Sequence, residues 1–269
     1  MANADIRDVG TADPQTPITS LWTASRVLGA AVAIIAGVVI YLIGLPGSAS
    51  LYGTSFSDLT LPVAMFVGMA GVAMVAATAT AGRWRVVDIV VASVLGVAGG
   101  LVFSAWNAGS TPLQAALVPP ASAIIVGVWL FPAVLGALIV RRPGAGVYTE
   151  LVAAVLSALV GNQWGFATVW YGLVEGMGAE VVFALLLYRR FGLPTALVAG
   201  AGAGVAVGLM DSLIYYPKAL GTGGRFAYVG IAVVSGVIIA GLGSWALTRA
   251  LARTGTLAPL ASGRLAERV

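Results

Sequence analysis

The 269-residue sequence predicts an all-α polytopic membrane protein with about eight transmembrane helices. Three observations carry that prediction. Hydrophobic residues make up 59% of the chain, charged residues only 9%, and the apolar residues gather in long uninterrupted runs. A soluble domain carries about 25% charge, and a helical span needs about 20 mostly apolar residues.

Eight runs meet or approach that length: 27–45, 59–82, 86–106, 119–140, 146–161, 167–188, 194–215 and 226–248. The first is too long, and starts too far into the chain, for a signal-peptide core, so it is read as a retained helix. The fifth is short and interrupted by Glu150. Residues 1–25 are polar, mix Asp with Arg and contain Pro14 and Pro17, the composition of a disordered tail. Residues 251–269 form a second tail. Within the seventh run, "GAGAGVAVG" (200–208) sets Gly200, Gly204 and Gly208 four apart. No strand precedes it, so it reads as a face for close helix packing and not as a nucleotide loop.

The basic residues give orientation. Arg7, Arg26, Arg83, Arg85, Arg141, Arg142, Arg189, Arg190, Arg249, Arg253, Arg264 and Arg268 fall on one side of an alternating topology; Lys218 and Arg225 fall on the other. By the positive-inside rule both termini are cytoplasmic. The net charge of +4 comes from residues that flank spans, not from a basic stripe, which argues against a nucleic-acid partner.

Composition removes several chemistries. With no Cys and no His, there is no thiol nucleophile, thiolate or imidazole metal site, or Ser-His-Asp triad. The one lysine, Lys218, stands in no phosphate-binding loop. No cofactor or metal is expected, and any ATP hydrolysis must come from another subunit.

Intramembrane carboxylates are costly and need a partner, a cavity or a function. Asp88 lies beside Arg83 and Arg85, where a local ion pair explains it, and Glu150 lies a turn or two from Arg141 and Arg142, where a structural role is expected. Glu175 and Glu180 have no such neighbour. Counted from residue 167, they lie about 12 Å and about 20 Å below the outer surface, on faces about 140° apart. One face would line a pocket and the other pack on a helix, and depth favours Glu175 for the pocket. Asp211, followed by Tyr215 and Tyr216, adds a third carboxylate in the outer half. Trp106, Trp164, Trp170 and Tyr171 gather at the same level. An interfacial aromatic belt accounts for some of these rings, but not for the carboxylates among them. Carboxylates with aromatic faces suit a flat cation, and the amides Asn107, Asn162 and Gln163 at the mouth suit the edge of a heterocycle.

Three segments, "RRPGAGVYTEL" (141–151), "GNQWG" (161–165) and "GMGAEVVFAL" (176–185), together resemble the YkoE-type substrate-binding (S) components of energy-coupling factor (ECF) transporters. The resemblance covers about residues 83–250, implying a six-helix S-component core preceded by two extra helices at 26–82. It implies thiamine or its hydroxymethylpyrimidine precursor as substrate, with a transmembrane coupling (T) subunit and two ABC ATPase subunits as partners in a bacterial cytoplasmic membrane. It also implies that Ala92, Gly96 and Gly100 meet the coupling subunit, and that Glu180 is the family's binding residue. The pattern usually has Gln where this chain has Glu175, a departure that implies altered substrate preference. The alternatives from other classes are a stand-alone proton-coupled secondary transporter using Glu175, Glu180 or Asp211, and a purely structural membrane subunit, which would leave the buried carboxylates unexplained.

Overall fold

The computed structural model describes residues 17–43, 60–80, 83–216 and 218–264. Eight apolar helices run in chain order: α1 (Ala24–Ile43), α2 (Thr60–Ala77), α3 (Val86–Ala116), α4 (Ala121–Val140), α5 (Ala145–Val160), α6 (Ala167–Leu185), α7 (Leu193–Tyr215) and α8 (Thr222–Arg253). Seven are long and apolar enough to cross a membrane. The eighth is α5, whose 16 residues reach about 24 Å.

Burial sets their places. α4 is the central helix, with 78% of its apolar window buried, whereas only 6% of that of α1 is buried. Around α4, neighbouring contacts run α3–α5–α6–α7–α8. α2 lies on α6, and α1 lies outside α2. The N-terminal pair is thus docked on the flank of the bundle. Met65, Met69 and Phe66 of α2 pack into it, and Arg26 of α1 donates to the Thr78 hydroxyl just beyond α2 (3.1 Å).

Several boundaries depart from the apolar runs, for physical reasons. α3 continues ten residues beyond the predicted end at 106, through Asn107, Ser110, Thr111 and Gln114. These polar residues satisfy one another along the helix: Thr111 donates to the Asn107 carbonyl (2.9 Å) and Gln114 to the Ser110 hydroxyl (2.8 Å). α4 opens as a 3-10 segment, Ala121–Val128, before its α-helical half, Phe131–Val140. α7 ends in a π-helical turn, Asp211–Tyr215, and α8 contains another at Gly236–Leu242.

The expected tails are partly folded. Residues 1–16 and 265–269 lie outside the described residues. A helical turn at Ile18–Leu21 packs on the core, and the Trp22 indole donates to the Leu185 carbonyl (3.2 Å). At the other end, Leu257 and Leu260 are buried against Leu135, Ile139 and Val140 of α4. Apolar side chains that find a core stay ordered whatever the polarity around them.

The small-residue faces divide. Gly204 and Gly208 face α8, where a β-carbon would stand 2.7 Å from the Ala232 carbonyl and 2.9 Å from Val229, and Gly200 meets the Gly236 backbone in the same way. Gly200→Val should therefore push α7 off α8, at a cost of about 1–3 kcal/mol, lowering the thermal midpoint in detergent; an unchanged midpoint would refute the close contact. The row Ala92, Gly96 and Gly100 is turned inward too. Ala92 is fully buried, and a β-carbon at Gly96 or Gly100 would strike Val152, Ala153 and Leu156 of α5. The row expected to meet a coupling subunit thus lies along the α3–α5 seam.

Candidate functional site

A cavity of about 770 Å³, counting its mouth, opens at the end of the bundle opposite the Arg141–Arg142 and Arg189–Arg190 loops. Its wall is drawn from α3, α4, α5, α6, α7, α8 and the turn before α6. Three carboxylates line it, Glu150, Glu175 and Asp211, and no lining residue is Lys or Arg. The remaining wall is largely aromatic: Phe103, Trp129, Trp164, Tyr171, Tyr215, Tyr216 and Tyr228.

The rings are held in a chain. Trp106 meets Trp129 edge-on (6.4 Å between centroids), and Trp129 meets Trp164 edge-on (5.9 Å). The Trp164 indole donates to the Tyr215 hydroxyl (3.0 Å), Tyr215 packs on Tyr216 (4.8 Å), and Tyr216 packs on Tyr228 (5.6 Å). Tyr228 donates to Asp211 Oδ2 (2.7 Å). The π-helical turn matters here, because it turns Asp211, Tyr215 and Tyr216 toward one cavity within six residues. Burial of the faces of these rings beside unneutralised carboxylates favours a flat cationic ligand.

The amides take a different part from the one their position at the mouth suggested. Asn107 Oδ1 accepts from the Trp129 indole (2.9 Å), while its Nδ2 donates to the Ser157 hydroxyl (3.1 Å). Asn162 Oδ1 accepts from the Trp164 backbone N–H (2.9 Å) and the Thr168 hydroxyl (3.2 Å), and its Nδ2 also reaches Ser157 (3.3 Å). Asn107 reaches the wall with both polar atoms engaged; Asn162 does not line the cavity. Gln163 is exposed and outside it, its Nε2 3.4 Å from Gln114, which does line it. Asn107 and Asn162 thus position tryptophans.

Of the residues expected at the site, Asn107, Trp164, Tyr171, Glu175, Asp211 and Tyr215 come together on the wall. Trp106 stands behind Trp129, and Glu180 lies elsewhere. Glu180 Oε1 accepts from the Gly144 N–H (2.6 Å), and Oε2 from the N–H groups of Gly146 (2.9 Å) and Val147 (3.4 Å). It closes the N-terminus of α5 from a neighbouring helix, where free N–H groups and the helix dipole favour an anion. Asp88 is paired with Arg85 (2.7 Å) and also with Arg142 (3.1 Å), which ties α3 to the α4–α5 loop.

Sequence reasoning missed Glu150, Trp129 and Tyr228. Glu150, expected to have a structural role a turn or two from Arg141 and Arg142, makes no ion pair among the described residues; its Oε2 accepts the Ala133 N–H (2.8 Å) in the middle of the bundle.

A family model described as "ABC-type cobalt transport system, permease component" matches residues 87–206. The YkoE protein of Bacillus subtilis (strain 168), named as an HMP/thiamine permease, is 32% identical over 181 residues, covering 67% of this chain and 91% of its own. A solved structure titled "Crystal structure of an S-component of ECF transporter" superposes with a TM-score of 0.66 at 31% identity, covering 69% of this chain and 94% of that one. The chain belongs to the YkoE-type family of ECF S components. It is accordingly a substrate-binding subunit of a membrane transporter, and its relatives are transport components and not enzymes. Two of the segments that carry the family resemblance are halves of one contact in this S component. "RRPGAGVYTEL" supplies the α5 N-terminus, and "GMGAEVVFAL" supplies the Glu180 that closes it.

Proposed function

We propose that this S component captures thiamine, or its hydroxymethylpyrimidine precursor, in the cavity between Glu175, Asp211 and the aromatic wall, at the outer face of a bacterial cytoplasmic membrane. A coupling subunit and two ABC ATPases then drive its uptake. The observation that carries this reading is a ring-lined cavity with three carboxylates and no basic residue. Thiamine joins a flat aminopyrimidine to a cationic thiazolium, so it meets both the rings and the charge. The named activity of the Bacillus relative points to the same ligand class. The basic loops at the opposite end of the bundle support an outward-facing mouth. Residues 26–82 form an accessory pair and 83–250 the transport core in this reading.

Cobalt, the cargo in the matched family's description, suits these residues less well. Imidazole and thiolate are the usual holders of first-row transition ions; the chain has neither His nor Cys, and no three acidic side chains converge on one point among the described residues.

Equilibrium binding to the purified, folded protein tests the proposal. Saturable binding of thiamine or hydroxymethylpyrimidine is expected, and none of Co²⁺ at the same concentrations; Co²⁺ binding without pyrimidine binding would reverse the assignment. In reconstituted vesicles the chain alone should import nothing under a proton gradient. Uptake by the chain alone would favour the proton-coupled carrier.

A further inference from the structure

The 3-10 segment of α4, Ala121–Val128, is eight residues long. Runs beyond three or four residues are uncommon, because the hydrogen bonds of this helix are poorly aligned. The segment nevertheless carries one side of the cavity: Ser122, Ile125, Val126 and Trp129 all line it. Three residues per turn explain the pattern. Ser122 and Ile125 share one edge, Val126 and Trp129 a second, and the third edge turns outward with Ala121 and Ile124 exposed. From Ser122 to Trp129 the 3-10 form spans about 14 Å, against about 10 Å in an α-helix. Relaxation to the α form would therefore shorten and twist this side of the wall.

One side chain from another helix holds the segment in its unusual form. The Ser235 hydroxyl of α8 accepts from the Gly127 N–H (2.9 Å) and donates to the Ile124 carbonyl (2.6 Å). Those two groups, three residues apart, are the pair that defines a 3-10 turn. The approach is close: a β-carbon at Gly127 would stand 2.5 Å from the Ser235 carbonyl oxygen and 2.8 Å from Ile239. Hydroxyls in helices commonly turn back onto their own ladder, as Ser104 does to Gly100 (2.9 Å) and Thr248 to Ser244 (2.7 Å). Ser235 instead reaches across, just before the π-helical turn Gly236–Leu242. It is buried, at 1% exposure, and does not line the cavity.

We infer that Ser235 is a positioning residue for substrate binding: its hydroxyl holds the 3-10 form of α4 and thereby sets where Ile125, Val126 and Trp129 stand in the cavity. The inference rests on the cavity being the substrate site, as proposed above, and adds the residue that fixes its wall from behind.

Ser235→Ala removes the hydroxyl, and Ser244→Ala is its control. Ser244 is fully buried on the same helix and donates to the Phe131 carbonyl in the α-helical half of α4 (3.1 Å), outside the cavity wall. Each variant loses one α8–α4 link, so a role in stability alone predicts the same outcome for both. Affinity of the folded protein for thiamine or hydroxymethylpyrimidine should fall at least tenfold in Ser235→Ala and stay within twofold in Ser244→Ala. Equal affinities in the two variants would overturn the inference. Hydrogen exchange read by mass spectrometry gives a second measure that needs no ligand. Ser235→Ala should speed exchange at least tenfold across 121–128 and leave 131–140 unchanged; unchanged exchange across 121–128 overturns the inference. If Ser235→Ala does not fold, the unaltered protein without ligand decides. Residues 121–128 should then exchange as slowly as 131–140, and rapid exchange there would mean that the hydroxyl does not hold the segment. An unaltered protein that shows this slow exchange but binds neither pyrimidine refutes the proposed substrate and leaves the hold of Ser235 on the wall standing.

Discussion

Glu175→Gln is expected to weaken binding of a cationic heterocycle by roughly 30-fold while changing affinity for the neutral hydroxymethylpyrimidine by less than about threefold. The difference follows from charge. At 5% exposure the Glu175 carboxylate acts on a nearby cation through a medium far less screening than water. At an effective dielectric of about 20, a pair at 4 Å is worth about 4 kcal/mol. Allowing half of that for desolvation and for the neighbouring Asp211 carboxylate gives about 2 kcal/mol, or about 30-fold. Titration calorimetry, or quenching of the fluorescence of Trp129 and Trp164, reads the effect directly. Equal losses for the two ligands would mean that Glu175 shapes the cavity without pairing with charge.

Glu180→Ala is expected to act on stability and leave the site's chemistry alone. The substitution strands three N–H groups, those of Gly144, Gly146 and Val147, at a buried helix end. A charged acceptor contributes about 1.5–3 kcal/mol and an unmet buried donor costs about 1–3 kcal/mol, so a loss of about 3 kcal/mol is expected. Thermal unfolding in detergent measures it. Affinity for thiamine per folded molecule should stay within about twofold, because Glu180 does not line the cavity. A large loss of affinity in a fully folded Glu180→Ala protein would return Glu180 to the binding site.

These two carboxylates show how far the residues could be read in advance. Depth and helical phase place Glu175 and Glu180 on different faces, and in the structure Glu175 lines the cavity while Glu180 does not, since a rise per residue and an angle per residue are properties of one helix. What they could not supply is what stands opposite. Glu180 faces a helix start 36 residues away in sequence, Gly144, and such a partner is invisible to local spacing. Asp88 was legible as an ion pair because Arg85 is three residues away, but its second partner, Arg142, is 54 away. The helix count was legible from apolar length; the extension of α3 was not, because its last ten residues satisfy their polarity among themselves and inside the bundle. Trp129 and Tyr228 were passed over because single rings in apolar runs look like lipid-facing side chains. Only the edge-on stack and the bond to Asp211 set them apart.

The docking of α2 on α6 has a further consequence. Met65 and Met69 pack on the same buried cluster, Val174, Ala206 and Met210, as Tyr171, a residue of the cavity wall, so the accessory pair braces the helices that carry the binding site. Only residues 78–85 separate α2 from α3. A tether that short makes the pair's association intramolecular, at an effective concentration in the millimolar range. Contacts too weak to hold a separate polypeptide are then enough to keep the brace in place. The brace needs no matched synthesis of a second gene product, and its occupancy does not fall when the protein is dilute in the membrane.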